Sequence, residues 1–244
     1  MNMQTELLFD RLLLIGTIHV SPESKRRVRD LILEERPEIV AVELDQGRYK
    51  ALLEQPKETL TFGELLLSAR QGSFSTNLMV WLISHLEQEL GEEFGVIPGE
   101  EMLVAIQTAK EIGSHVKVFF VDQPLPITLQ RFQSVGLEKS RLIIELVKGI
   151  LGAEKDVSLS LLDLETDPNR SDILQEFMGT LHKKFPGIAK ILIHERDAYI
   201  ANRIISLLKT FPEKKICAVI GLGHLNGIKK RIKAHFSKQY EQNT

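Results

Sequence analysis

The sequence predicts an α/β fold in which a mostly parallel central sheet is flanked by helices. Two short apolar runs near opposite ends of the chain, residues 12–15 and 216–220, lack the alternation of a half-exposed strand. Such runs are typical of strands that are buried on both faces. Each run is followed by a glycine and then by a helical pattern, as in a parallel sheet. The 244 residues suffice for a single large domain over residues 1–244.

The first strand belongs to a predicted βαβ unit. It stops at Gly16, and Ser21 and Pro22 then fit the N-cap and the first position of a helix. Pro37 ends that helix, and residues 38–44 form the next apolar run. A strand, a helix and a strand of this length predict two parallel strands that a right-handed crossover connects.

The rest of the chain adds two further strands, over residues 116–122 and 216–220, and many helical segments. A polar helical stretch without strand signals, at about residues 129–184, predicts a large helical insertion beside the sheet. The other predicted helices cover residues 45–54, 56–98 (with loops), 98–112, 186–209 and 227–236.

Each of the four predicted strands is followed by a side chain that could carry chemistry: His19, Glu43, Asp122 and His224. Parallel strands place these positions along one edge of the sheet, where open α/β sheets bind ligands. Two imidazoles with one or two carboxylates are a ligand set for a divalent transition metal ion, which activates a bound water molecule. The alternative is that each histidine caps a helix or donates to a backbone carbonyl group.

Arg196 lies within the apolar stripe of the helix predicted over residues 186–209. An arginine on a core-facing stripe keeps its charge, so it needs carboxylates or a bound anion as partners. Glu43, Glu101 or Asp122 could be that partner. The alternative is a long side chain that reaches past the apolar surface to solvent.

The composition excludes several classes of protein. A formal net charge of −2 provides no basic field for nucleic acid. No apolar run reaches the roughly 20 residues of a membrane span, and the first residues lack the basic region of a signal peptide. The single cysteine, Cys217, excludes an internal disulfide and fits a reducing, cytoplasmic compartment.

Several motifs, in order along the chain, resemble those of the TraB family. The opening motifs are Gly16-Thr17-Ile18-His19 and the run from Pro37 through Glu43 to Arg48. The middle motifs are Pro98-Gly99-Glu100-Glu101, Asp122 and Thr128-Leu129-Gln130-Arg131. The late motifs are Glu195-Arg196-Asp197 and Gly221-Leu222-Gly223-His224. The family's usual Asp-Arg pair is replaced here by Asp122-Gln123, and its usual tryptophan by Phe132.

The resemblance implies an erythromycin-esterase-like or ChaN-like architecture and a link to pheromone shutdown proteins and Tiki metalloproteases. By similarity to the Tiki group, His19 and His224 become candidate metal ligands, and Glu43 a ligand or base. Arg196 becomes a candidate clamp for an oxyanion or a substrate carboxylate, and Glu101 a further catalytic candidate. The candidate substrate-binding residues are Arg48, Asp122, Arg131 and Glu195.

We therefore expect a metal-dependent, peptidase-like hydrolase that binds a divalent metal ion and a peptide or small-molecule ligand. One alternative is a protein that sequesters a peptide or small anion without turnover. A second is an esterase-like enzyme that activates water with His and Glu and without metal. A third is a scaffold or regulator in which the polar cluster only makes the core rigid. The helical insertion could be a lid or a surface for homo-oligomer formation.

Overall fold

The computed structural model describes residues 4–17, 22–53, 99–138, 141–142 and 178–242. The chain divides into two compact units. Of the described residues, the sheet unit contains 4–17, 22–53, 99–125 and 196–242, and the helical unit contains 126–138, 141–142 and 178–195.

His19, the whole helical stretch predicted over residues 56–98 and most of the predicted insertion over residues 129–184 lie outside the described residues. The single domain with that insertion therefore stays a prediction.

The described residues form a five-stranded sheet in the order β1-β2-β5-β3-β4. Its edge strand β1 is antiparallel to β2, whereas β2, β5, β3 and β4 run parallel to their neighbours. The α/β fold with a mostly parallel sheet is thus confirmed. The strands are β1 (Gln4–Leu8), β2 (Leu12–Thr17), β3 (Ile39–Val42), β4 (Lys117–Phe120) and β5 (Ile216–Gly221).

The two strands that were predicted from unbroken apolar runs lie next to each other inside the sheet. Every residue of β2 and of β5 is buried, and their pairing runs from Leu12 opposite Ile216 to Thr17 opposite Gly221. Strands in this position meet apolar layers on both faces, which explains why their sequences do not alternate.

Helices cover both faces of the sheet unit. The helices of this unit are α1 (Pro22–Glu35), α2 (Gln46–Leu53), α3 (Glu100–Ile112), α6 (Arg196–Thr210) and α7 (Leu222–Gln242), whereas α4 (Leu125–Gln133), apart from its first residue, and α5 (Pro186–Ala189) belong to the helical unit. One apolar layer contains Ile200 and Ile204 of α6 with Ile228 of α7, and the other contains Val28 of α1 and Met102 of α3.

Three elements differ from the sequence prediction. Strand β1 was not predicted, because only Leu8 of its five residues is buried. The long helix expected over residues 186–209 is interrupted by a π-helical segment at Lys190–Glu195. The last helix begins at Leu222 rather than at residue 227, so His224 lies in its first turn. No helix within the described ranges is long and apolar enough to cross a bilayer.

Candidate functional site

Three of the predicted site residues follow neighbouring parallel strands of the sheet unit. Glu43 comes directly after β3, Asp122 lies two residues after β4, and His224 follows β5 at the start of α7. Because β5, β3 and β4 are adjacent and parallel, these positions share the carboxyl edge of the sheet. The fourth residue of the predicted set, His19, lies outside the described residues.

Arg196, the first residue of α6, connects these side chains. Its Nε and Nη2 atoms donate to the two carboxylate oxygens of Asp122 at 3.1 and 2.8 Å. Nη2 also donates to Oε1 of Glu43 at 2.8 Å, and Nη1 lies 3.2 Å from Nε2 of His224. The planar guanidinium group thus binds two carboxylates and an imidazole with separate N–H groups, which a lysine could not do.

These charges are largely removed from water. The side chains of Asp122 and Glu43 are 2% and 3% exposed, and that of Arg196 is 18% exposed. A second oxygen of Glu43, Oε2, accepts the backbone N–H of Gly221 at 2.7 Å. Buried carboxylates are stable only with such partners, so Arg196 and the Gly221 amide account for their presence here.

The pKa of Asp122 shows how burial and charge oppose each other in this cluster. Burial favours the neutral carboxyl group, but the charge and hydrogen bonds of Arg196, helped by Arg48, outweigh it. The pKa of Asp122 is therefore held below its ordinary value, and the group is ionised at neutral pH. Nη1 of Arg48 lies 3.4 Å from Oδ2 of Asp122.

His224 is held by a carboxylate on its other side. Its Nδ1 lies 2.7 Å from Oδ1 of Asp197, which is 3% exposed and follows Arg196 in the chain. Since a guanidinium group only donates hydrogen bonds, Nε2 of His224 must accept from Arg196, and Nδ1 therefore carries the proton given to Asp197. This tautomer directs the imidazole lone pair toward Arg196 and Glu43, whose Oε1 is 3.6 Å from Nε2.

A glycine within α7 makes the Asp197–His224 pair possible. A β-carbon at Gly227 would overlap the carboxylate of Asp197. Glycine in a helix interior lowers helix stability by roughly 1 kcal/mol relative to alanine. At this position the missing side chain also leaves the space into which the Asp197 carboxylate fits. Arg231, one turn further on, donates to the carbonyl oxygen of Gly227 and lies 3.5 Å from Oδ2 of Asp197.

Three further predicted site residues are Arg131, Glu195 and Glu101. Arg131 and Glu195 belong to the helical unit, where they form a two-point ion pair with N–O distances of 3.0 and 2.6 Å. The hydrogen bond from Arg131 lowers the pKa of Glu195. Glu101 is buried in the first turn of α3. The roles assigned to these three residues stay predictions.

The described side chains do not fit a divalent metal ion in this arrangement. Nε2 of His224 and Oε1 of Glu43 are 3.6 Å apart, but in the arrangement seen each of these atoms accepts a hydrogen bond from a different Nη atom of Arg196. Within the described ranges, no three His, Cys, Asp or Glu side chains are grouped so as to hold a metal. A metal held by His19 and His224 stays a prediction.

Asp197 and Gly227 were missed as functional residues. The sequence signal for Asp197 was its place directly after Arg196, and the structure shows its side chain buried in the first turn of α6. The signal for Gly227 was a glycine at the start of an otherwise good helix pattern, and it was interpreted as a helix boundary.

The chain is similar to one protein family and to several individual proteins. The model of the TraB/PrgY/gumN family matches residues 9–241. The chain is 31% identical to an uncharacterized protein of Methanocaldococcus jannaschii over 225 residues, which is 90% of this chain and 53% of that protein. It is 28% identical to a TraB domain-containing protein of Bos taurus, over 93% of this chain and 64% of that protein.

A human TraB domain-containing protein is 27% identical over 90% of this chain and 62% of its own length. The chain thus spans between about half and two thirds of the length of these relatives. The family match extends over nearly the whole sequence and includes all residues of the Arg196 cluster. The chain belongs to the TraB/PrgY/gumN family.

Proposed function

We propose that this TraB-family domain is a hydrolase in which His224 activates a water molecule. The observation that carries the proposal is the Asp197–His224 pair at the carboxyl edge of the sheet, with Nε2 facing Arg196 and Glu43. An imidazole that is fixed by a carboxylate and offers its other nitrogen as an acceptor is suited to take a proton from water.

Arg196 supplies positive charge next to this base. In the arrangement seen, its Nη1 donates to Nε2 of His224 at 3.2 Å. A water molecule that enters between these two atoms would accept from Arg196 and donate to His224. The guanidinium charge then stabilises the partial negative charge that develops on the water oxygen as His224 takes its proton. When this oxygen bonds to the carbonyl carbon, the electron pair of the C=O bond moves to the carbonyl oxygen, and His224 holds the proton that the leaving group later receives.

Glu43 and Asp122 hold Arg196 in place in this proposal. Both carboxylates are buried and both bind the guanidinium group, so they fix its orientation without binding the substrate. This assignment replaces the idea of Arg196 as a clamp for a substrate carboxylate, since much of its charge is already matched by Asp122 and Glu43. It leaves peptides, as well as esters, among the candidate substrates.

The metal-dependent version of the proposal requires His19 and His224 to hold the ion. If an ion binds there, it supplies an activated water molecule and polarises the carbonyl group. Arg196 would then have to leave Nε2 of His224, since that atom cannot accept from Arg196 and bind an ion at once. The metal-free version keeps the contacts as they are.

The experiment compares hydrolysis of a panel of esters and short peptides by the wild type, His224→Ala and His115→Ala. His115 is exposed on the sheet unit and serves as the control for loss of an imidazole. We expect His224→Ala to lose at least a hundredfold in kcat/KM and His115→Ala to keep the wild-type value. Equal rates for His224→Ala and the wild type would overturn the proposal.

Each reaction is repeated after removal of metal by a chelator and after addition of Zn²⁺ or Mn²⁺. Activity that survives chelation supports the metal-free version. Activity that is lost on chelation and restored by metal, with the same loss in His19→Ala, supports the two-histidine metal site.

A further inference from the structure

Two histidines of the helical unit, His182 and His194, face each other, and the contact joins the Nε2 atoms of the two rings. Their Nε2 atoms are 2.9 Å apart, and their ring centroids are 4.8 Å apart. The contact is at the protein surface. It uses neither of the histidines of the predicted metal site, and the function proposed above does not involve it.

The tautomer of His182 is set by its helix. Its Nδ1 lies 2.6 Å from the carbonyl oxygen of Met178, one turn earlier. A carbonyl oxygen accepts only, so Nδ1 carries the proton, and Nε2 of the neutral ring holds a lone pair directed at His194. A ring nitrogen that donates to a backbone carbonyl while the other faces outward is the usual arrangement of a metal-binding histidine.

The spacing of the two Nε2 atoms fits two ligands of one ion. At a metal–nitrogen distance of about 2.05 Å, ligands at right angles are about 2.9 Å apart, whereas tetrahedral ligands are about 3.3 Å apart. The observed 2.9 Å is the length of the hydrogen bond between the two rings, and it equals the separation of two ligands at right angles. Both rings therefore need only to tilt, without moving apart, for their lone pairs to converge on one ion. Square-planar or tetragonal nitrogen sites are typical of Cu²⁺ and Ni²⁺.

The backbone around the pair is fixed by buried groups. His194 lies in the π-helical segment Lys190–Glu195, where the preceding residues Ile191 and Ile193 are buried. The chain between the two histidines turns at Phe185, which is 3% exposed and donates its N–H to the carbonyl oxygen of Leu181 at 2.9 Å. π-helical turns are uncommon and occur often at functional sites.

The start of α5, in the same connection, is also held. Glu138 accepts the backbone N–H groups of Gly187 and Ile188 at 2.9 and 3.1 Å. The two imidazoles are therefore presented by a short, internally bonded connection, so bringing them together costs little conformational entropy on ion binding.

We propose that His182 and His194 form a binding site for a divalent transition metal ion of the Cu²⁺ and Ni²⁺ type, with water in the remaining positions. Before the ion binds, the proton that Nε2 of His194 donates to His182 leaves that atom for Nδ1 of the same ring, and the ion then bonds to the lone pairs of both Nε2 atoms. The site lies within the helical unit and is separate from the Arg196 cluster in the residues that form it.

The test titrates Ni²⁺ into untagged protein from which metal has been removed, with isothermal calorimetry and thermal unfolding as readouts. We expect one Ni²⁺ per chain and a rise in melting temperature for the wild type. His182→Ala and His194→Ala are each expected to weaken binding at least tenfold. The double variant is expected to lose little more than either single variant, because one imidazole alone does not make the site.

Two control variants distinguish Ni²⁺ binding by His182 and His194 from effects of other histidines. His115→Ala removes an exposed imidazole from the sheet unit and is expected to bind Ni²⁺ as the wild type does. His224→Ala is expected to keep this binding even if it loses hydrolysis, so the two proposals can fail separately.

Both histidines are at the surface, and we expect the variants to fold, with circular dichroism spectra like that of the wild type. The proposal is overturned if Ni²⁺ does not bind to the wild type, or if binding is equal in the wild type and His182→Ala. The electron paramagnetic resonance spectrum of the Cu²⁺ complex provides a second readout. We expect coupling to two imidazole nitrogens in the wild type and to fewer in either single variant.

Discussion

Arg131 and Arg196 both form two-point ion pairs with carboxylates, but their surroundings differ. The Arg131 side chain is 49% exposed and its partner Glu195 is 22% exposed. The Arg196 side chain is 18% exposed, and its partners Asp122 and Glu43 are 2–3% exposed. Similar hydrogen-bond geometry is therefore present once in water and once in the interior.

The hydrogen-bond geometry of an ion pair does not by itself determine how much the pair contributes to stability. In water, both partners of an exposed pair remain solvated when the pair is broken, so the pair contributes little. In the interior, loss of Arg196 leaves Glu43 buried without a cation and leaves Asp122 with Arg48, at 3.4 Å, in place of its two-point contact. Arg196 is thus required for the folded sheet edge, whereas Arg131 is an exposed contact of the helical unit.

The largest effect is expected from Arg196→Ala. The change leaves Asp122 and Glu43 buried without their cation, and we expect a loss of about 3–5 kcal/mol in the free energy of unfolding. Arg196→Lys should recover only part of this loss, because an ammonium group cannot bind both carboxylates and His224 with separate planar donors. Urea denaturation measures both variants, and a loss below about 1 kcal/mol for Arg196→Ala would contradict the comparison.

The next effect concerns Gly227→Ala. A methyl group there overlaps the Asp197 carboxylate, so either the helix or the carboxylate must move. We expect a loss of about 1–3 kcal/mol in stability, although alanine is the better helix former. Asn226→Ala, a change at the exposed neighbouring position of α7, is the matched control and should be neutral or stabilising. Similar stabilities for both variants would show that Asp197 is not held as described.

A smaller effect is expected from Asp122→Asn, and it depends on pH. The folded-state pKa of Asp122 lies below its ordinary value of 3.8, so the unfolded chain binds the proton more readily. The stability from this group is therefore fully present above about pH 3.8 and is lost as pH falls through the lowered pKa. We expect urea denaturation from pH 7 to pH 3 to show that the difference in free energy of unfolding between the wild type and Asp122→Asn narrows only at the acidic end.

The smallest effect is expected from the exposed pair. Arg131→Ala and Glu195→Ala should each change stability by less than about 1 kcal/mol, and the coupling energy from a double-mutant cycle should fall within the same range. Added salt should reduce it further, because exposed charges are screened. A coupling above about 2 kcal/mol would remove the distinction between the two arginines.

The sequence predicted the parts of the site that depend on local pattern. Strand ends located Glu43 and Asp122, and helical periodicity located Arg196 on an inward-facing stripe that needed carboxylates. The structure brings these three together in that way. The pairing of Asp197 with His224 was not predicted, since it depends on how α6 and α7 pack and on the missing side chain at Gly227.

Strand β1 was missed for a different reason. It is an edge strand with mostly exposed polar residues, so it lacks an apolar pattern. The turn after it places Phe9 and Asp10 at φ angles of 53° and 55°. Hairpin turns in which two successive residues have positive φ angles usually contain Asn-Gly or Asp-Gly, and neither pair is present at this turn. Pairing with β2 therefore outweighs an unfavourable local conformation.

The order of the strands has a consequence for how the protein is made. Strand β5 lies between β2 and β3, although Ile216 follows Leu12, its partner, by about two hundred positions in the chain. Until the ribosome has released β5, the strands β2 and β3 have no common neighbour, and Glu43 lacks the Gly221 amide. Contacts of such high sequence separation slow folding. The nascent chain therefore carries unpaired strand edges and an incompletely bonded Glu43 while the residues between β3 and β5 are made, and chaperone binding is expected to be concentrated in that interval.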